Sequence, residues 1–437
     1  MFSALNAQSL LGPLVIMAIC WGLSENKRRF PLVLMLVAVA LQVVLVLALF
    51  GIPLLQAGLQ GVGVAVRGLA DATHHGSAFV FGYLGGEGAP PFTATNPDAL
   101  FVFGFQVLPV ILVVCALSAV LWHWGILKVL TKGFGFLFRK TLGLRGPPAL
   151  ATAATIFMGQ VEGPIFIRAY LDKLTRSELF LLLVVGMTCV SGSTMVAYVA
   201  ILSPTLHNAA AHVLTASIIS APAGVLLARI LVPPDLAERG GDIDQMADKH
   251  YDSSVDALMK GTGDGLQVVL NVAASLIVFV ALVALANQLL AAGAHVVHWA
   301  AALVHVNIPD EYPPTIEGTL GYVFSPLAFS LGIPWHEAGK AGALLGTKLV
   351  LTEFIAFIKL GADPAISDRT RMIMTYALCG FANVASVGIN VAGFSVLAPQ
   401  RREEILGMVW KAMMAGFLAT CLTASIIGVM PGGLFGK

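Results

Sequence analysis

The chain has few charged residues. Lysine, arginine, aspartate and glutamate make up 11% of its 437 residues, whereas hydrophobic residues make up 57%. A soluble domain is usually roughly 25% charged, and a soluble protein of this size could not bury so much apolar surface. The net charge of +1 offers no basic face for nucleic acid. The composition therefore predicts a protein whose main partner is the lipid bilayer.

The sequence also lacks motifs for metal binding and catalysis. Its five cysteines lie in apolar stretches, with neither CxxC spacing nor histidines at metal-ligand spacing. The run from Gly342 to Lys348 lacks P-loop spacing, and His336-Glu337 lacks the second histidine of a zincin helix. We therefore expect neither an enzyme nor a cofactor other than a coupling ion.

Long apolar runs predict about eight transmembrane helices, since a helix needs roughly 20 apolar residues to cross a bilayer. The predicted spans are residues 10–23, 30–50, 102–129, 179–202, 212–232, 265–291, 372–397 and 405–429. Most lysines and arginines of the short loops fall on one side, which should be cytoplasmic and leaves the N-terminus outside. Arg369 and Arg371 fall on the opposite side.

Two further apolar stretches are too broken to be simple helices. Residues 149–171 carry a Gly-Gln-Val-Glu-Gly-Pro run at their centre, and residues 335–360 carry glycines, threonines, Lys348 and Glu353. Each stretch predicts a re-entrant hairpin of two half-helices. Irregular backbone at membrane depth must be buried in protein or line a wet cavity, because lipid offers it no hydrogen-bond partner. The hairpins therefore predict a solvated internal site.

The order span, hairpin, span, span occurs twice, as expected of the inverted repeats of secondary transporters. The predicted fold class is an all-α polytopic membrane protein, with about eight transmembrane helices plus two re-entrant helical hairpins in an inverted repeat. We expect the first two helices and an outer loop in residues 1–101, and a first repeat in residues 102–232. A cytoplasmic linker with an interfacial helix should occupy residues 233–264, and a second repeat residues 265–437.

Ionisable side chains within membrane segments are costly, so each is a functional hypothesis. Glu162 and Glu353 lie at or near the two hairpin tips. They either accept hydrogen bonds from a hydroxyl-rich ligand or pair with the nearby Arg168 and Lys348. Both interpretations remain open.

Polar side chains also interrupt two of the spans. Asn383 and Ser386 are three residues apart and share one helical face, where they either line a site or hold helices together. Ser191, Gly192 and Ser193 predict local unwinding of the fourth span. Carboxylates, amides and hydroxyls suit a neutral polar solute, whereas a dicarboxylate or phosphate would require arginine or paired helix N-termini.

Several long motifs in a fixed order carry a family resemblance. They include Gly159-Gln-Val-Glu-Gly-Pro, Phe324-Ser-Pro-Leu-Ala-Phe, Gly346-Thr-Lys-Leu-Val-Leu-Thr-Glu-Phe and Tyr376-Ala-Leu-Cys-Gly-Phe-Ala-Asn. From Phe79 to the C-terminus the chain resembles the concentrative nucleoside transporters. This resemblance implies cation-coupled uptake of nucleosides across the plasma membrane by a homotrimer with one transport path in each subunit.

The resemblance also implies a substrate site. Gln160 would contact the nucleobase with Glu162 beside it, and Glu353 would bind the ribose hydroxyls. The complete implied set is Gln160, Val161, Glu162, Thr194, Glu353, Phe381, Asn383 and Ser386.

Three positions depart from the family pattern. Val161 stands where a threonine is common, which leaves the base preference open. At the implied cation site, Thr155 and Cys189 replace an asparagine and a serine or threonine of the sodium-coupled members, beside the backbone carbonyls of Met158 and Val190. A hydroxyl and a thiol are poorer ligands for a hard cation than the groups they replace. We therefore expect coupling to protons rather than to sodium.

A proton carrier should be a buried carboxylate, so Glu162 and Glu353 are its candidates. Two alternatives to nucleoside symport also remain. The same architecture could transport a free nucleobase or another neutral polar solute, or the chain could be a channel or receptor without coupled uptake. A channel would be expected to show a repeated filter or a ring of one residue type, which the sequence lacks.

Overall fold

The computed structural model describes residues 4–86, 90–93, 100, 102–160, 162–165, 167–234, 251–303 and 315–435. In chain order its α-helices are α1 Ala4–Gln8, α2 Leu11–Gly22, α3 Leu32–Gly51, α4 Pro53–Phe81, α5 Phe103–Gln106, α6 Leu108–His123, α7 Ile126–Leu142, α8 Gly146–Met158, α9 Glu162–Ile165, α10 Arg176–Thr188, α11 Gly192–Leu202, α12 Ala209–Leu231, α13 Ser254–Leu303, α14 Ile316–Ser330, α15 Trp335–Val350, α16 Glu353–Ala362, α17 Asp368–Leu378, α18 Val384–Leu397 and α19 Arg402–Val429.

Seven helices or helix pairs within these ranges are long and apolar enough to cross a membrane. They are α1 with α2, α3, α5 with α6, α10 with α11, α12, α13 and α19. The remaining predicted span, residues 372–397, is divided because α17 ends at Leu378 and α18 begins at Val384. The pair α10 and α11 is interrupted in the same way between Thr188 and Gly192. The chain is thus an all-α polytopic membrane protein in which the α10–α11 and α17–α18 spans are broken.

Two helical hairpins occupy the broken apolar stretches. In the first, α8 and α9 meet at Gly159, whose φ of 108° lies in a region that strains any residue with a Cβ. In the second, α15 and α16 meet at Leu351 and Thr352. The Thr352 side chain caps α16 by accepting a hydrogen bond from the Ile355 amide at 3.4 Å. Both hairpin tips therefore combine a sharp chain reversal with polar groups.

Some helices differ from the expectation. Residues 1–101 contain a third long helix, α4, which the hydropathy pattern missed because Arg67, Asp71, His74 and several glycines dilute its apolar residues. Helix α13 begins at Ser254 and runs on without a break, so the helical end of the predicted linker is continuous with the following span. Residues 235–250 of that linker lie outside the described residues.

The centre of the molecule is formed by α10, α12, α17 and the C-terminal part of α19, where most side chains are buried. Helices α3 and α13, in contrast, expose large apolar side chains such as Leu36, Ile277 and Leu289. Contiguous apolar surface of this kind marks a membrane or protein contact. These two helices therefore face lipid or another subunit.

Arg369 and Arg371, which fall on the side opposite to most basic loop residues, bind backbone carbonyls. Arg369 donates to Leu5 O at 3.1 Å and to Gly428 O at 2.8 Å. Arg371 donates to Leu360 O and, at 2.7 Å, to Asp363 O. Cations at helix C-termini stabilise the free carbonyl groups there. These arginines therefore cap helix ends. This role does not depend on the side of the membrane on which they lie.

Candidate functional site

A cavity of about 210 Å³ lies where the two hairpin tips and the two helix breaks meet. Six of the predicted binding residues line it, namely Gln160, Thr194, Glu353, Phe381, Asn383 and Ser386. Helix α13 closes one wall with Val268, Asn271, Val272 and Leu276. Val161 lies outside the described residues, and so does the side chain of Glu162.

The cavity forms because the two broken helices cross at their breaks. A Cβ on Gly380 would lie 2.6 Å from Thr188 O and 2.6 Å from Thr420 Cγ2, so this crossing requires glycine. Residues at the start of α11 and at the start of α18 line the same cavity. Polar side chains from both halves of the chain therefore face one volume.

Glu353 provides the buried carboxylate of this cavity. It is 5% exposed and starts α16 at the second hairpin tip. Tyr198 Oη donates to Oε1 at 2.8 Å, and Asn383 Nδ2 donates to Oε2 at 2.6 Å. A carboxylate offers about four acceptor positions. Each oxygen therefore keeps capacity to accept a hydrogen bond from a ligand.

Lys348, which the sequence offered as an ion-pair partner for Glu353, has other partners. Its fully buried ammonium donates to Ala377 O at 2.8 Å and to Thr420 Oγ1 at 2.7 Å. It thus joins α15 to the C-terminal end of α17 and to α19. The direct hydrogen-bond partners of Glu353 are neutral groups.

The second helix break is organised by Asn383. Its Oδ1 accepts from the Ser386 amide at 2.8 Å and caps α18, while its Nδ2 binds Glu353. Both ends of the amide are engaged, so its orientation is determined. Phe381, two residues earlier, adds an aromatic ring to the cavity lining. Acceptors and an aromatic face therefore lie within one site.

At the first hairpin tip, Gln160 is 8% exposed and also lines the cavity. Its Oε1 accepts a hydrogen bond from Asn390 Nδ2 at 2.8 Å. In the first turn of α11, just after the first helix break, Thr194 Oγ1 donates to Ser191 O at 3.1 Å. The Ser191 side chain caps α11 by accepting from the Thr194 amide at 3.4 Å.

The four predicted cation-site residues lie at the end of α8 and in the first helix break. Thr155 Oγ1 donates to Ala151 O at 2.8 Å, and Cys189 Sγ donates to Ser217 O at 3.6 Å. The Val190 carbonyl accepts from Ser217 Oγ at 3.4 Å. Met158 lines the substrate cavity.

Several polar residues at or beside the cavity were not predicted as binding residues, and they include Thr352 at the second hairpin tip. Tyr198 and Asn390 contact predicted residues, and Asn271 lines the cavity from α13. Helical spacing carried a signal for two of them. Asn390 follows Ser386 by four residues and Tyr198 follows Thr194 by four, which places each pair on one helix face.

Three family profiles match the sequence. The profile described as Na+ dependent nucleoside transporter N-terminus matches residues 11–84, and the one described as Nucleoside recognition matches residues 104–205. The profile described as Na+ dependent nucleoside transporter C-terminus matches residues 212–428.

Similar proteins cover almost the whole chain. The chain is 36% identical to the uncharacterized transporter YutK of Bacillus subtilis, over 96% of this chain and 98% of the relative. It is 33% identical to the nucleoside permease NupC of Helicobacter pylori, over 97% of each chain. The solved structure of CNTnw in an inward-facing substrate-bound state matches with a TM-score of 0.83 and 32% identity, over 97% of each chain.

These relatives and structural neighbours are transporters and not enzymes. The match extends from the first helices to the last, and it includes both hairpins and both helix breaks. The chain therefore belongs to the family of concentrative, Na+ dependent nucleoside transporters.

Proposed function

We propose that the chain is a symporter that moves nucleosides into the cell together with a cation. The observation that carries this proposal is the environment of Glu353. Its carboxylate is held by Tyr198 and Asn383 in a cavity that also contains Gln160 and Phe381. Ribose hydroxyls would donate to the carboxylate, the flat base would contact Phe381, and the Gln160 amide would bind the base edge.

The coupling ion is proposed to be the proton. The Thr155 hydroxyl and the Cys189 thiol both donate to backbone carbonyls, and the Ser217 hydroxyl donates to Ile156 O at 3.1 Å and to Val190 O at 3.4 Å. A sodium ion prefers several oxygen ligands, and a thiol is a poor substitute. This donor set supports a departure from the sodium dependence in the family description. Glu162 and Glu353 remain the candidate proton carriers.

The proposed setting is the plasma membrane, with the N-terminus outside. Glu25, which follows α2, pairs with Arg176 at 2.9 Å and with Lys411 at 3.3 Å. The loop after α2 and the N-terminal ends of α10 and α19 therefore share one end of the molecule. This end carries basic loops that the sequence predicts to be cytoplasmic. The exposed apolar surface of α13 would face lipid or a neighbouring subunit of the homotrimer that the family resemblance implies.

In this proposal, no covalent bond is made or broken during transport. A nucleoside would contact both hairpin tips and both helix breaks, so it would stabilise a conformation in which they are close together. A ligand shifts a conformational equilibrium by the difference in its affinity for the two states. Movement of the hairpins relative to the outer helices would then expose the site to alternate sides of the membrane.

Uptake of radiolabelled uridine and adenosine into proteoliposomes tests the proposal. An imposed proton gradient, an imposed sodium gradient and no gradient are compared. We expect accumulation with the proton gradient alone. Accumulation with sodium alone would contradict proton coupling, and equilibration without accumulation would support a channel. If neither nucleoside enters, the alternative of another polar solute gains support.

A further inference from the structure

Asn390 connects α18 to the first hairpin. It is fully buried, one turn beyond Ser386 and outside the cavity lining. Its Nδ2 donates to Gln160 Oε1 at 2.8 Å and to the backbone carbonyl of Ser386 at 3.0 Å. One nitrogen therefore serves a helix carbonyl and the side chain at the hairpin tip.

The Ser386 carbonyl determines which way both amides point. A carbonyl oxygen can only accept, so the Asn390 atom facing it must be the nitrogen. That nitrogen also faces Gln160, so the Gln160 atom next to it must be the oxygen. Turning the Gln160 amide over would place its NH₂ against the NH₂ of Asn390, donor against donor. The NH₂ of Gln160 is consequently left for the cavity.

Stability alone does not explain why position 390 is an asparagine. Its Oδ1 is buried without a hydrogen-bond partner among the described residues. Leaving a buried acceptor unsatisfied is unfavourable, and a leucine of similar size would avoid that penalty. Local choices that oppose stability are expected at functional sites. The benefit of the amide is the defined orientation of Gln160.

We propose that Asn390 is a specificity-determining residue that makes Gln160 present its NH₂, rather than its carbonyl, to the base. This inference rests on the proposed transport of nucleosides and adds the base preference to it. Val161, the next residue in the chain, has no side-chain hydrogen-bonding group. A donor at Gln160 selects a base edge that carries a carbonyl oxygen. Uridine and inosine are therefore favoured over cytidine and adenosine, which carry an amino group at the corresponding position.

The test is competition against radiolabelled uridine uptake by the purified full chain in proteoliposomes. The four nucleosides form two matched pairs, uridine with cytidine and inosine with adenosine. We expect the carbonyl member of each pair to bind about tenfold more tightly, which corresponds to about 1.4 kcal/mol. In the variants Asn390→Leu and Asn390→Ala, Gln160 loses its hydrogen-bond donor and its amide can turn over. The uridine-to-cytidine and inosine-to-adenosine affinity ratios should then both fall towards one.

Gln42→Leu is the matched control. Gln42 is also a fully buried amide, donates to Ala38 O four residues earlier at 3.1 Å, and has an Oε1 to which no group in the described part of the chain donates. It lies on α3, outside the cavity lining. This variant should keep the wild-type affinity ratios for both nucleoside pairs, even if less protein is obtained.

Two outcomes contradict the inference, and a third contradicts the proposed function on which it rests. Wild-type ratios near one overturn it without any variant, and nucleoside transport then still stands. Unchanged ratios in the Asn390 variants, with all four affinities lowered equally, show a structural role only. A wild-type chain that binds none of the four nucleosides instead contradicts the proposed function itself.

Discussion

The hydroxyl of Tyr198 donates a hydrogen bond of 2.8 Å to Oε1 of Glu353. Tyr198 lies on α11, just after the first helix break, whereas Glu353 lies at the tip of the second hairpin. The tyrosine is fully buried and its ring stacks on Phe357 with 4.6 Å between ring centroids. The helix that follows the first break is thus connected to the carboxylate of the substrate cavity, and that break holds two of the four predicted cation-site residues.

Substitution Tyr198→Phe should weaken nucleoside binding about tenfold, because a hydrogen bond to a charged group is worth about 1.5–3 kcal/mol. The ring packing on Phe357 is retained, so the fold should be preserved. Binding of uridine is measured by calorimetry on the purified protein. Tyr376→Phe is the control, since its equally buried hydroxyl contacts His212 Nδ1 at 3.0 Å instead. Equal losses in both variants would argue against a specific role for Tyr198.

Substitution Glu353→Gln should lower the affinity for uridine by at least about tenfold, because the amide is uncharged and replaces one of the two acceptor oxygens by an NH₂ donor. The affinity for free uracil should change little, since uracil has no ribose. Competition experiments with the two compounds measure the difference. Glu317→Gln is the control, because Glu317 pairs with Lys359 at 3.3 Å outside the cavity lining. An unchanged uridine affinity would favour transport of a free nucleobase.

The double substitution Thr155→Asn with Cys189→Ser should make uptake respond to sodium. It supplies an amide carbonyl and a hydroxyl as oxygen ligands, which a hard cation prefers over a thiol. Uptake is compared in sodium and in choline buffers at constant pH. Cys379→Ser is the matched control, since this buried cysteine occupies the second helix break and donates to Val213 O at 3.7 Å. A wild-type chain that already requires sodium would contradict proton coupling.

Substitution Lys348→Met should destabilise the fold by about 1–3 kcal/mol, the usual effect of leaving a buried acceptor unsatisfied. The Ala377 carbonyl loses the ammonium, and α15 loses its polar link to α17 and α19. Thermal unfolding in detergent measures the change. Lys359→Met should have a much smaller effect, because its ion pair with Glu317 is partly exposed. Similar melting temperatures for the two variants would refute a structural role for the buried lysine.

Much of the architecture was predictable from the sequence. Apolar runs identify the spans because lipid requires a helix of roughly 20 apolar residues. Glycines and polar residues in the middle of such runs indicate the hairpins and the first helix break. The second break was hidden, since residues 372–397 are apolar enough to suggest one continuous helix. The amphipathic helix α4 was missed for the opposite reason, because its polar residues lower its hydropathy.

The sequence by itself determined which side chains are available for a nucleoside and a cation, because residue types and their order along the chain are enough to recognise the motifs. The tertiary structure decided how those side chains are paired. Tyr198 with Glu353, Asn390 with Gln160, and Lys348 with Ala377 are each separated by many residues in sequence. Their contacts depend on how different helices cross, and periodicity along one helix carries no information about that crossing.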